Sequence, residues 1–129
     1  MLASVYSLDS HITFNMNNKA RYLHTIVSVV VECCVTEIGD GAMSLSEEDV
    51  LGKSRAENVV MCRSICVMLM VGAGYSITTI AQLFHRTPHA IRHLLEVGHR
   101  FHVTSRAFQI ASAEATLRCR DISVDDTGE

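Results

Sequence analysis

Hydrophobic residues recur at three- and four-residue steps along much of the chain, which is the spacing of one face of an α-helix. The first such stretch begins at Asn18. Its apolar positions are Tyr22, Ile26, Val29, Val30 and Cys33. The valines within 27–31 would also suit a buried strand, but the length and the continuing period favour a helix. Ile38-Gly39-Asp40-Gly41 then predicts a stop and a loop.

Capping residues predict where the next two helices begin. Ser44 or Ser46 opens the first, and the three acidic residues after Ser46 suit the positive end of a short helix that Gly52 closes. Ser54, with Glu57 three positions later, predicts a capping box at the start of a second helix. That helix is densely apolar as far as the glycines at 72 and 74, so we expect it to be central and largely buried.

Residues 76–99 have the pattern of a helix-turn-helix. Ser76 predicts the cap of a short helix, and 85–87 predict a tight turn. Thr87-Pro88 is a strong start signal, because a capping hydroxyl precedes a proline at the first helical position. The second helix of the pair then runs to about His99.

The ends of the chain are less patterned. We expect 1–17 to be an irregular lead-in, and a last helix to run from about Thr104 to Leu117. Residues 119–129 are acidic and predict a disordered tail. The residues between these two ends, 18–118, are therefore predicted to form one helical domain.

Composition supports an all-α protein. The chain has 129 residues, of which 48% are hydrophobic, but only three Tyr, four Phe, no Trp and one Pro. This is enough apolar surface for a core and too few aromatics and turn residues for a typical β-sandwich or barrel. We therefore predict a compact all-α domain of five or six helices.

The cysteines and the hydropathy of the chain indicate in which cellular compartment the protein is found. Five cysteines without a framework spacing indicate reduced, partly buried thiols, as in cytoplasmic proteins. The N-terminus shows no secretory signal, and no apolar run reaches the roughly 18–20 residues of a membrane span. We expect a cytoplasmic protein without a membrane partner.

Charge is segregated along the chain. Residues 76–106 hold four arginines and one glutamate, a net charge of +3, whereas the whole chain carries −3. The same window holds five of the seven histidines. A second basic cluster lies upstream at Lys53, Arg55 and Arg63. We expect Arg63 to reach an edge, where it contacts a phosphate or pairs with Glu57 or an acid from the short helix. A basic face of this kind predicts affinity for DNA phosphates.

A resemblance follows from these residues. Leu51-Gly52-Lys53-Ser54-Arg55 and the helix with Arg63, followed by the 77–84 helix and then Arg86, resemble the C-terminal DNA-binding domain of DnaA, the bacterial replication initiator. The likeness covers roughly 22–117 and is firmest over 50–95. It implies a Trp-repressor-like helix-turn-helix fold that binds duplex DNA in replication or transcription regulation.

The resemblance also implies roles for single residues. Arg55 would enter the minor groove, Arg63 would hold backbone phosphate, and Arg86 would approach base edges or phosphate. The family signature Asp-His-Thr-Thr is replaced by Thr87-Pro88-His89-Ala90, so recognition of the family's usual DNA repeat is not expected. The complete set of candidate DNA-binding residues is Lys53, Arg55, Arg63, Arg86, Thr87, His89, Arg92 and His93.

Three other functions compete with DNA binding. Histidines spaced four apart at 85, 89 and 93 could share a metal ion, but the chain lacks a CxxC motif and we expect no metal. No nucleophile motif or GxxxxGK[ST] loop is present, so we expect no enzyme activity, cofactor or nucleotide. The main alternative is a protein-interaction module that docks a partner or forms a homodimer through an apolar patch around 27–31 and 67–71.

Overall fold

A computed structural model describes the backbone of residues 8–38 and 45–127, and the side chains of 22–38 and 45–120. These residues form six helices and no strand, so the predicted all-α fold class is confirmed. The helices are α1 (Leu8–Glu37), α2 (Glu47–Leu51), α3 (Glu57–Gly72), α4 (Ile77–Phe84), α5 (Pro88–Thr104) and α6 (Arg106–Thr127). None of the helices in these ranges has both the length and the apolar character needed to cross a membrane.

The helix α3 lies at the centre of the domain. It packs against α1 on one side and α5 on another, while α6 lies along α1 and α4 packs on α5. The side chains that fill the space between the helices are almost entirely aliphatic, thiol or phenyl groups. At Gly98, α5 comes so close to α3 that an added Cβ would lie 2.8 Å from Met68 Sδ and 3.3 Å from Ser64 Cβ. The core therefore forms around α3, as its dense apolar pattern predicts.

Three of the predicted N-caps are confirmed. Ser46 accepts a hydrogen bond from the backbone N–H of Asp49, whose side chain completes a capping box. The side chains of Ser76 and Thr87 accept from backbone N–H groups three positions later, at the starts of α4 and α5. Each bond satisfies one of the N–H groups that the first turn of a helix leaves without a helical partner.

The predicted capping box at Ser54 is wrong. The N-cap of α3 is Ala56, which makes no side-chain capping bond. Ser54 Oγ instead accepts from the backbone N–H of Ala56 within the loop, at 3.3 Å. A serine hydroxyl can turn the backbone two residues ahead as readily as it can cap a helix, and the sequence does not distinguish these uses.

Several predicted boundaries are also corrected. Because α1 already begins at Leu8, the irregular lead-in does not extend over 8–17. The helix α5 continues to Thr104, and α6 continues to Thr127, through most of the predicted disordered tail. The loop expected around Gly39 to Gly41 lies outside the described residues.

Packing explains why α6 is longer than the sequence pattern suggests. The helices α1 and α6 pack on each other, and the Tyr22 hydroxyl donates to the carbonyl of Cys119 at 3.2 Å. A salt bridge of 2.6 Å joins Arg118 to Glu32, and the Glu32 hydrogen bond raises the Arg118 pKa. Tertiary contacts of this kind stabilise helical turns whose own propensity is modest.

The apolar patch expected around 27–31 and 67–71 is mostly absent. Val27, Val29, Val30, Val31 and Val67 are buried in the core, and only Val71 at the end of α3 is exposed. All five cysteines are free and buried, which agrees with the prediction of reduced thiols. The large apolar side chains that are exposed among the described residues are Val35, Val71, Val103, Ile110 and Leu117.

Candidate nucleic-acid interface

The loop between α2 and α3 faces the start of α5 across a cleft of about 930 Å³. Two separate stretches of sequence supply basic side chains to this one cleft. Its lining includes Lys53, Arg55, Arg63, His85, Arg86 and His93. No carboxylate is among the residues that line it in the described part of the chain. The two basic clusters found in the sequence are therefore neighbours in the fold.

Arg63 lies at the base of the cleft and is only 3% exposed. Its guanidinium donates four hydrogen bonds to backbone carbonyls. The acceptors are Val50 (2.7 Å), Ser54 (3.1 Å), Gly52 (3.1 Å) and Asp49 (3.2 Å). The expectation that Arg63 projects from an edge toward phosphate or pairs with Glu57 is therefore wrong.

The carbonyls of α2 explain how a charged side chain can be buried without a carboxylate. The last carbonyls of a helix have no helical partner and carry the negative end of its dipole. Arg63 satisfies two of them, at Asp49 and Val50, and two more in the loop that follows. Burial lowers the pKa of Arg63, and the nearby positive charge of Arg86 lowers it further. The guanidinium nevertheless stays protonated, because arginine is the most basic of the side chains and keeps its proton in proteins.

Arg86 lies in the turn between α4 and α5 and is half-buried. Its guanidinium donates to the carbonyl of Gly52 at 2.8 Å and to that of Phe84 at 3.3 Å. Burial lowers the pKa of this arginine as well. Arg86 thus spans from the turn before α5 to the loop on the other side of the cleft.

The carbonyl of Gly52 receives a hydrogen bond from both arginines. The residue type at this position is constrained by space, because an added Cβ would lie 2.9 Å from the carbonyl oxygen of Glu48. A glycine therefore lets the chain leave α2 in the direction that brings its carbonyl between the two guanidinium groups. Sequence analysis identified Gly52 only as a helix stop.

The remaining candidate residues lie at the mouth of the cleft or on the outer face of α5. Lys53 and Arg55 are exposed and, within the described residues, their side chains make no hydrogen bond or ion pair. His89, Arg92 and His93 are exposed on α5. Among these five, His93 is the one near an acid, with its Nδ1 3.9 Å from a carboxylate oxygen of Glu96. Exposed lysine and arginine side chains of this kind are free to contact an anionic partner.

Thr87 and His85 define the turn beside the cleft. The Thr87 side chain caps α5, and so its hydroxyl oxygen accepts from the N–H of Ala90 at 3.1 Å. His85 has φ 54° and ψ 48°, a left-handed conformation that suits glycine better. Its N–H donates to Gln82 and the next N–H donates to Ala81, which is the Schellman end of α4. His85 lines the cleft, although it was not among the predicted site residues. Its position in the predicted turn between the two helices is the sequence feature that could have identified it.

The histidines and cysteines do not assemble elsewhere in the described residues. No three His, Cys, Asp or Glu side chains there lie in an arrangement that could hold a metal ion. The Cys34 and Cys62 thiols are hydrogen-bonded to each other in the core, and this bond and burial raise the pKa of Cys34. Thiols of this kind are poor nucleophiles and poor ligands, because both functions need the thiolate.

Comparison of the chain with protein-family models, curated proteins and solved structures finds no match. The likeness to the DnaA domain therefore depends on the residues described above and stays a prediction.

Proposed function

We propose that this protein binds duplex DNA through the basic cleft and the exposed face of α5. The observation that carries the proposal is the convergence of Lys53, Arg55, Arg86 and His93 on one cleft without a carboxylate. DNA-binding proteins obtain most of their non-specific affinity from such groups, which replace counterions at the phosphates.

The arrangement of α4 and α5 supports a helix-turn-helix mode of binding. A three-residue turn joins the two helices, which pack against each other. The exposed side of α5 carries His89 and Arg92, which could reach base edges if the helix enters the major groove. Arg55 projects from the loop on the far side of the cleft, where an adjacent minor groove would lie. Thr87 and the N-terminus of α5 would lie near a phosphate.

The proposed biological role is regulation of replication or transcription in the cytoplasm. We assign no catalytic step, cofactor or metal to the cleft. The alternative of a protein-docking module is favoured by one observation, the exposure of Ile110 (40%) and Leu117 (58%) seven residues apart on α6. Residues at that spacing share a helix face, and a small apolar stripe can bind a partner helix.

Fluorescence anisotropy with a labelled duplex at several salt concentrations tests the proposal. A DNA-binding cleft predicts that log affinity falls linearly with log salt, with a slope of about −0.9 for each phosphate contact. Arg55→Ala should weaken binding by about 1–3 kcal/mol if Arg55 contacts DNA directly. Arg120→Ala, which removes an equally exposed positive charge from α6, is the matched control and should change affinity little.

Selection from random duplexes would then identify any preferred sequence. A wild-type protein without duplex affinity at low salt would refute DNA binding. If the wild type does not bind duplex DNA but forms a homodimer or binds a protein partner, loss of that association in Leu117→Ser would favour the protein-docking module.

A further inference from the structure

We propose that Arg86 is a positioning residue, which locks the basic loop at 52–55 to the start of α5 through the carbonyl of Gly52. The inference rests on the proposed function, because the spacing that it fixes is the spacing between two DNA-contacting elements. It also replaces the role that the DnaA resemblance implies for this arginine, namely direct approach to bases or phosphate.

The geometry carries the first step. Of the cationic side chains lining the cleft, Arg63 and Arg86 are turned inward onto backbone carbonyls, and both donate to the same oxygen. Arg63 comes from α3, Arg86 from the turn before α5, and the acceptor from the loop after α2. One carbonyl thus joins three elements. Hydrogen bonds from charged donors are roughly twice as strong as neutral ones, so this junction holds the loop firmly.

The second step is the contrast with the neighbouring cations. The side chains of Lys53 and Arg55 extend from the same loop, are exposed and make no bond with the described part of the protein. Their position relative to α5 therefore depends on the backbone of the loop alone. Two residues connect Gly52 to Arg55, so a shift of the Gly52 carbonyl moves the Arg55 side chain with it. Misplacement by about 1 Å is enough to weaken a pre-organised contact markedly.

A double-mutant cycle on duplex affinity tests this role. If Arg86 acts through the loop, Arg86→Met should weaken binding about tenfold in the wild-type protein. The same change should weaken binding less than about twofold in the Lys53→Ala/Arg55→Ala background, because the contacts that it positions are already absent. Arg92→Met is the matched control: it removes the same charge from α5, and its effect should be equal in both backgrounds. Equal fold-changes for Arg86→Met in the two backgrounds would show direct contact and overturn the inference.

Hydrogen exchange supplies a readout that does not involve DNA. In Arg86→Met the backbone amides of Gly52 and Ala56, which donate to the Asp49 carbonyl and to Ser54 Oγ, should exchange at least about tenfold faster than in the wild type, while those of α1 and α6 keep their rates. Arg92→Met should leave the loop unchanged. Unaltered exchange in the loop of Arg86→Met would refute the lock even in a protein that binds no DNA. Normal loop protection in the wild type together with absent duplex affinity would instead refute the proposed function alone.

Discussion

The replacement of Arg63 should test whether its buried guanidinium holds the basic loop in place. We consider Arg63→Met, because methionine keeps an apolar stem in the core and removes the five N–H donors. Four backbone carbonyls would lose a hydrogen bond, at Asp49, Val50, Gly52 and Ser54. The Asp49 carbonyl would keep the N–H of Gly52 and the Gly52 carbonyl would keep Arg86, so the acceptors that lose the partner shown in the structure are Val50 and Ser54. Water can reach only part of this region, since the Arg63 side chain is almost fully buried.

The magnitude follows from the number of bonds and their burial. A hydrogen bond to a charged group contributes about 1.5–3 kcal/mol, and a buried acceptor left without a partner costs about 1–3 kcal/mol. Relaxation of the short helix α2 and entry of water offset much of the sum. Since two acceptors lose their partner and no unpaired charge is left buried, we expect a net loss of about 2–4 kcal/mol. A domain of this size has a total stability of about 5–15 kcal/mol, so the variant should be marginally folded.

Urea denaturation followed by circular dichroism measures the effect. The matched control is Arg55→Met, since Arg55 is exposed and lies eight positions earlier in the same region; its stability should change by less than about 0.5 kcal/mol. A loss below about 1 kcal/mol for Arg63→Met would refute the interpretation. The hydrogen bonds from Arg63 to the loop would then contribute little to the stability of the fold.

Three further predictions concern the turn, the cap of α5 and a buried thiol. His85→Gly should raise the free energy of unfolding by about 1 kcal/mol in thermal denaturation, because glycine adopts the left-handed conformation without the cost that histidine bears; a destabilised variant would contradict this. Thr87→Ala should lower stability by about 1 kcal/mol through loss of the cap, whereas Thr87→Ser should restore it. Burial raises the pKa of Cys119 to about 11 in the folded protein. In the unfolded chain the thiol ionises at a lower pH, with a pKa of about 8.5. Stability should therefore fall as the pH rises from about 8.5 toward 11, and Cys119→Ala should show a shallower fall in urea denaturation at pH 8 and pH 10.

The sequence determined the helices and most of their starts. The sequence identified three helix caps, at Ser46, Ser76 and Thr87. A hydroxyl residue just before a helical pattern of apolar residues is a signal contained in neighbouring residues, so it can be recognised without knowing the fold. The ends of helices were harder. The length of α6 depends on its packing against α1, whose residues lie some ninety positions away in the chain, and no local pattern reports such contacts.

Only the tertiary structure decided what each arginine does. The sequence does not distinguish the roles of three arginines: Arg55 and Arg86 each lie just before a helix, and Arg63 lies within one. Whether such a side chain faces solvent or a set of carbonyls depends on where α2 ends relative to α3 and α5. The fold directs Arg63 and Arg86 inward, because both guanidinium groups lie within hydrogen-bond distance of the Gly52 carbonyl, and it leaves Arg55 exposed.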